Sequence, residues 1–165
     1  MKRTLVVNMN YVDIYGDVLD VSNDDLGVIY NMYKDIEDEL SIDYVDSENK
    51  RKLKGRKYDA CTFFFSLNKI WSDRGKEVIL KEVTDYLNCN GKIFFWDINK
   101  SKFKSVDSNI KILLPSGKIR GGSVINYNPL CYSNYEKMLK ILEKYYIIED
   151  TKVWNEMFFI QGRKK

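Results

Sequence analysis

Short apolar runs alternate with helical stripes along this chain, the pattern of an α/β layered fold. Val18-Leu19-Asp20-Val21 reads as a short buried strand. Asn23, Asp24 and Asp25 then offer N-cap chemistry, and Ile29, Met32, Tyr33, Ile36 and Leu40 recur at helical spacing. Leu40 to Val45 predicts a second strand, and the polar, basic stretch Ser47 to Lys57 a loop. Tyr58 to Leu67 contains Ala60-Cys61-Thr62-Phe63-Phe64-Phe65, apolar on both faces as a central parallel strand must be. A helix is expected from about Asp73 to Leu87, with Val78, Ile79, Val83, Tyr86 and Leu87 inward and Asn90-Gly91 as its stop. Lys92 to Ile98 is another buried strand.

Residues 100–130 are less regular. Ile110 to Leu114 and Lys118 to Ile125 suit two strands around Pro115-Ser116-Gly117. Ser133-Asn134-Tyr135-Glu136 has the form of a capping box, and Tyr135, Met138, Leu139, Leu142 and Tyr146 give an amphipathic helix. Ile147-Ile148 and Trp154 to Ile160 read as an antiparallel strand pair closing the sheet, followed by a frayed Lys164-Lys165 end. One domain over 1–165 is expected, with 1–15 as an N-terminal extension and 100–130 as a cap or sheet insertion.

Composition removes several classes. The 165 residues are 44% hydrophobic and 31% charged, unlike a disordered tail. No apolar run approaches the roughly 20 residues that cross a bilayer, and the start turns polar too soon for a signal peptide. Lys and Arg number 27 against 24 Asp and Glu, so charge alone does not point to nucleic acid. These features predict a cytoplasmic protein, with no membrane or nucleic-acid partner. Histidine is absent, which removes the commonest general base and metal ligand, and no metal centre is expected. Cys61, Cys89 and Cys131 are odd in number and form no C-x-x-C pair.

The order strand, acidic turn, helix, strand ending in acid, and then Tyr58-Asp59 opening a central strand is similar to class I S-adenosylmethionine-dependent methyltransferases. The passage Phe65-Ser66-Leu67-Asn68-Lys69-Ile70-Trp71, a helix ending Tyr86-Leu87-Asn88-Cys89-Asn90-Gly91-Lys92, then Ile93-Phe94-Phe95-Trp96-Asp97 resembles that family most closely. The likeness runs from about Gly16 to Gly162. It implies a three-layer Rossmann-like sandwich, with a mostly parallel central sheet and a C-terminal antiparallel pair. In such sheets ligands bind beyond the carboxyl ends of the strands, where strand order reverses.

The resemblance also implies residues. Asp43, about 20 positions beyond Asp20, matches the acid that bonds the cofactor ribose, with Tyr44 beside it. Asp20 matches the aspartate of the first motif, Ser22 and Asp24 follow in its turn, and Ser66 and Leu67 lie where the fourth strand meets S-adenosylmethionine. Trp71, Asp97 and Tyr127 are candidates for the substrate, a small molecule. Two departures stand out. Ser22 and Asp24 occupy positions where the family has glycines, leaving only a displaced Gly27. Only about 15 positions separate Asp43 from Tyr58, too few for a full helix-and-strand unit. The family's third strand, a sheet-edge element, is therefore expected to be reduced. The expected function is methyl transfer from S-adenosylmethionine to a small-molecule acceptor. The departures suit an alternative, a binding or regulatory protein on the same scaffold that has lost cofactor chemistry.

Overall fold

The computed structural model describes residues 2–21, 27–33, 42–44, 53, 55–154 and 156–165, with the backbone alone at 31, 33 and 42–44. Among the described residues, nine strands and three helices follow in chain order: β1 (Arg3–Asn8), β2 (Val18–Val21), α1 (Val28–Tyr33), β3 (Ile42–Tyr44), β4 (Tyr58–Phe64), α2 (Asp73–Tyr86), β5 (Leu87–Ile98), β6 (Val106–Leu113), β7 (Ile119–Asn126), α3 (Tyr135–Leu142), β8 (Tyr146–Trp154) and β9 (Met157–Lys164). Six strands form one sheet in the order β3-β2-β4-β5-β9-β8. The first four are parallel, and β9 pairs antiparallel with both β5 and β8.

Alternation along the strands divides the apolar residues between two cores. Leu19, Cys61, Phe63, Ile93, Phe95, Phe158 and Ile160 meet Leu80 and Val83 of α2 and Met138, Ile141 and Leu142 of α3. Val18, Ala60, Phe64, Phe94, Trp96 and Phe159 belong to the other core. Their partners are α1 and a second sheet of three strands, in the order β1-β6-β7. β1 pairs parallel with β6, and β6 antiparallel with β7. Leu5, Val7, Ile110, Ile112 and Val124 of this small sheet are all buried. Trp96 lies in the same core, with ring centroids 4.8 Å from Phe159 and 5.6 Å from Phe64. Trp154 also ties the sheets together, donating from Nε1 to Val6 O at 3.1 Å.

Several expectations change. Residues 3–8, placed in an extension, form β1. The α2 inner face is Lys76, Leu80, Val83 and Thr84, whereas Val78 is 58% exposed. Polar side chains face inward here because each finds partners: Thr84 Oγ1 lies 2.7 Å from Leu80 O and 2.6 Å from Tyr146 OH, and Lys76 Nζ donates to Tyr132 O. Asn90-Gly91 is no helix stop, since β5 begins at Leu87; Asn90, at φ 64°, sits within that strand beside the irregular pairing between Tyr58 and Ala60. Asn134, not Ser133, caps α3. Lys164 and Lys165 are held rather than frayed: Lys164 Nζ donates to Thr84 O and Leu87 O, and Lys165 N to Tyr145 O.

Candidate functional site

Strand order reverses at β2, with β3 on one side and β4 on the other. The registers Val21↔Phe63 and Phe64↔Trp96, with Asp20↔Tyr44, bring the carboxyl ends of β2, β3, β4 and β5 to one sheet edge. Asp43 stands opposite Leu19 in β3, and Tyr44 opposite Asp20. Ser22 and Asp24 lie outside the described residues, as do Lys50, Arg51, Lys52 and Lys54 of the basic run. Lys57 of that run donates to Asp85 O at 2.6 Å.

Asp20 is 1% exposed, and its Oδ1 accepts from Thr62 Oγ1 at 2.6 Å. Thr62 is its direct neighbour on β4, so a paired hydroxyl offsets the cost of burying this carboxylate. At the end of β4 the chain turns sharply at Phe65, whose φ of 54° lies in the left-handed region. Phe65 N donates to Trp96 O at 2.9 Å, and Asn68 Nδ2 returns to Phe65 O at 2.5 Å. Ser66 and Leu67 in this turn are both 2% exposed. Asn126, at the end of β7, donates from Nδ2 to Asn68 O at 2.7 Å, and Cys131 Sγ to Lys69 O at 3.0 Å. Residues 126–131 therefore border the turn that follows β4.

Asp97, near the end of β5, is fully buried. Its Oδ2 accepts from Ser133 Oγ at 2.9 Å and its Oδ1 from Ile98 N at 2.8 Å. Burial raises its pKa to about 6, against the lowering influence of these donors, Lys76 and Asn68. This pairing explains the shift of the α3 cap: the Ser133 hydroxyl is committed to Asp97, leaving Asn134 Oδ1 to accept from Lys137 N at 3.1 Å. Trp71 is 66% exposed just ahead of Ser72, the N-cap of α2. Tyr127 is 62% exposed, with its OH donating to Asp107 Oδ2 at 2.9 Å.

A cavity of about 610 Å³ opens immediately beyond the β5 tip. One wall is residues 99–102, the other Tyr132 to Lys137 at the start of α3, with Val153 of β8 completing it. The walls are bolted together: Lys100 N donates to Ser133 O at 2.8 Å, Ser133 N to Lys100 O at 3.0 Å, and Tyr135 N to Asn99 Oδ1 at 3.0 Å. Lys100 Nζ is held by Asn128 O at 2.8 Å and by Cys131 O. Of the expected site residues, none is in the cavity lining, although Asp97 lies directly behind Ser133. Sequence reasoning did not single out Lys102, Tyr132 or Lys137. The available signal was the placing of Lys100 and Lys102 just after a buried strand, followed by a capped helix start.

No family model matches the chain, and no curated protein matches it. Solved structures do. It is similar to an S-adenosylmethionine-dependent methyltransferase from Clostridium acetobutylicum ATCC 824 at 13% identity, covering 92% of this chain and 85% of that one with a TM-score of 0.54. A methyltransferase from Methanosarcina mazei matches at 10% identity, covering 94% and 95%, with a TM-score of 0.54. The glycopeptide N-methyltransferase MtfA, complexed with S-adenosyl-L-homocysteine, matches at 10% identity over 93% and 85%, with a TM-score of 0.55. The chain therefore has the fold of class I S-adenosylmethionine-dependent methyltransferases.

Proposed function

We propose that this protein transfers the methyl group of S-adenosylmethionine to a small-molecule acceptor. The observation that carries this reading is the reversal of strand order at β2, which gathers the tips of β2, β3, β4 and β5 on one edge. The donor chemistry there fits the cofactor. By sequence β2 and β3 carry the acids Asp20 and Asp43, and neither β2, β3 nor the turn 65–68 carries a lysine or arginine. Such a set suits a sulfonium, an amine and ribose hydroxyls, and disfavours a phosphate.

In this reading Asp43 and Tyr44 hold the ribose, Asp20, Ser22 and Asp24 the amino-acid end, and Ser66 with Leu67 the face beside β4. When bound, the cofactor supplies an electrophilic methyl carbon. The protein's task is then mostly proximity and alignment, which needs no histidine. Trp71 and Tyr127 offer aromatic surface to the acceptor, and Asp97 supports the site from behind through Ser133.

Titration calorimetry with S-adenosylhomocysteine tests the proposal. Micromolar binding at one site, abolished by Asp43→Ala, is the expected result. No heat at millimolar ligand would overturn it.

A further inference from the structure

We infer that the cavity beyond β5 binds the acceptor through an anionic group, a carboxylate or a phosphate. The inference rests on the methyltransferase reading for the word acceptor, but its own support is the cavity. At about 610 Å³ the space matches small-molecule sites, which run from about 300 to 1,000 Å³. Asn99 and Lys100 follow the β5 tip directly. With strands about 4.8 Å apart, the cavity begins roughly one strand spacing from the β4 tip and two from that of β2. A molecule seated there can present a reactive atom to a cofactor spanning those tips.

The charge is distinctive. Three ammonium groups surround the ring of Tyr132, those of Lys137 at 4.6 Å, Lys76 at 4.7 Å and Lys102 at 5.1 Å from its centroid. The ring face attracts each of them, yet like charges this close repel one another. Lys137 is relieved by Asp73 at 3.2 Å, and the buried Lys76 by Tyr132 O with Asp97 and Asp73 nearby. Lys102 meets no carboxylate within ion-pair distance among the described residues. Lys100 lends a further positive charge to the same wall, held by carbonyls alone. The start of α3 opens onto the space, adding the positive end of its dipole, and among the described residues Glu136 is the only acid in the lining. An anion between Lys102, Lys137 and the α3 start neutralises the excess that the protein leaves uncompensated. Tyr132 and Tyr135 also line the space.

The test uses the full-length protein without cofactor, at fixed ionic strength, followed by amide NMR. Inorganic phosphate and benzoate are the anionic probes, and benzamide is the neutral mimic. Saturable shifts in residues 99–102 and 132–137 are expected with at least one anion and not with benzamide. Which anion binds tells a phosphate from a carboxylate acceptor. Lys102→Glu, at an exposed position, should weaken binding about tenfold, the loss of one charge-assisted contact. Lys111→Glu, the same charge change on the exposed face of β6, should leave it unaltered. The inference is overturned if neither anion binds, if benzamide does as well, or if Lys111→Glu matches Lys102→Glu. Titrating the same samples with S-adenosylhomocysteine separates the two readings. Cofactor binding without anion binding defeats only this inference; anion binding without cofactor binding defeats the methyltransferase proposal and, with it, the ligand's role as acceptor, leaving the anion site itself standing.

Discussion

The two faces of the six-stranded sheet are covered by different materials. One carries α2 and α3; the other carries α1 and a complete three-stranded sheet. Each face is buried at its centre: Leu80 and Phe95 on the first, like Val7 and Phe159 on the second, are 0% exposed. The strand order and the shared tip edge, however, are properties of the sheet between them. The shared tip edge of this fold therefore depends on the sheet and on which element crosses to which tip. A face needs an apolar cover, and a β-sheet supplies one as well as helices do.

The largest expected effect tests whether the small sheet is true core. Val7→Asp buries a carboxylate with no partner at the centre of the β-covered face. It should cost more than about 4 kcal/mol, enough to unfold a marginally stable domain. A variant with the wild-type urea midpoint would show that the small sheet is only an appendage.

Next comes the equality of the faces. Phe159→Ala, on the β-covered side, should cost about 3–5 kcal/mol, and Leu80→Ala, on the helical side, about 2–5 kcal/mol. Denaturant unfolding of both variants, with coincident transitions by fluorescence and circular dichroism, would support one cooperative unit. A loss confined to one face, with two separate transitions, would break the comparison.

A smaller effect sharpens the account of the helical face, where Asp97 lies. Its pKa of about 6 stands above the ordinary aspartate value of 3.8. Between those values the folded state keeps a proton that the unfolded chain has released, so its contribution to stability falls as pH rises from about 4 to 6. At 1.36 kcal/mol per pKa unit, the loss is on the order of 3 kcal/mol. Asp73, Glu77 and Asp107 have lowered pKa values and act in the opposite direction. The measurement is therefore a difference: the stability of Asp97→Asn relative to wild type should improve as pH rises through this window. A difference independent of pH would contradict the assignment.

Much of the sheet was legible in the sequence. The runs at Val18, Tyr58 and Ile93 are apolar on both faces and can sit only in the middle of a sheet, and the parallel order follows from the helices between them. β1 was not legible. Only Leu5 and Val7 of its six residues point inward, and their partner β6 lies about 100 residues away. The α2 inner face was legible in Ile79, Val83, Tyr86 and Leu87 but not in Lys76 and Thr84, which are polar by type; only the tertiary contacts to Tyr132 and Tyr146 show why they are inside. The capping box expected from Ser133 moved one residue on, because the Ser133 hydroxyl is bonded to Asp97 and Asn134 caps α3 instead. The shared edge of the candidate site was readable as a set of strand tips. The cationic cavity was not, because its lysines converge from α2, the segment after β5 and α3 on a single tyrosine ring.

A crystal structure with S-adenosylhomocysteine tests the central claim most directly. The account predicts ligand density across the tips of β2 and β4, with the ribose against Asp43 of β3 and the sulfur turned toward the cavity beyond β5. Density bound elsewhere, or a β2–β4 edge closed to the ligand at saturating concentration, would contradict it.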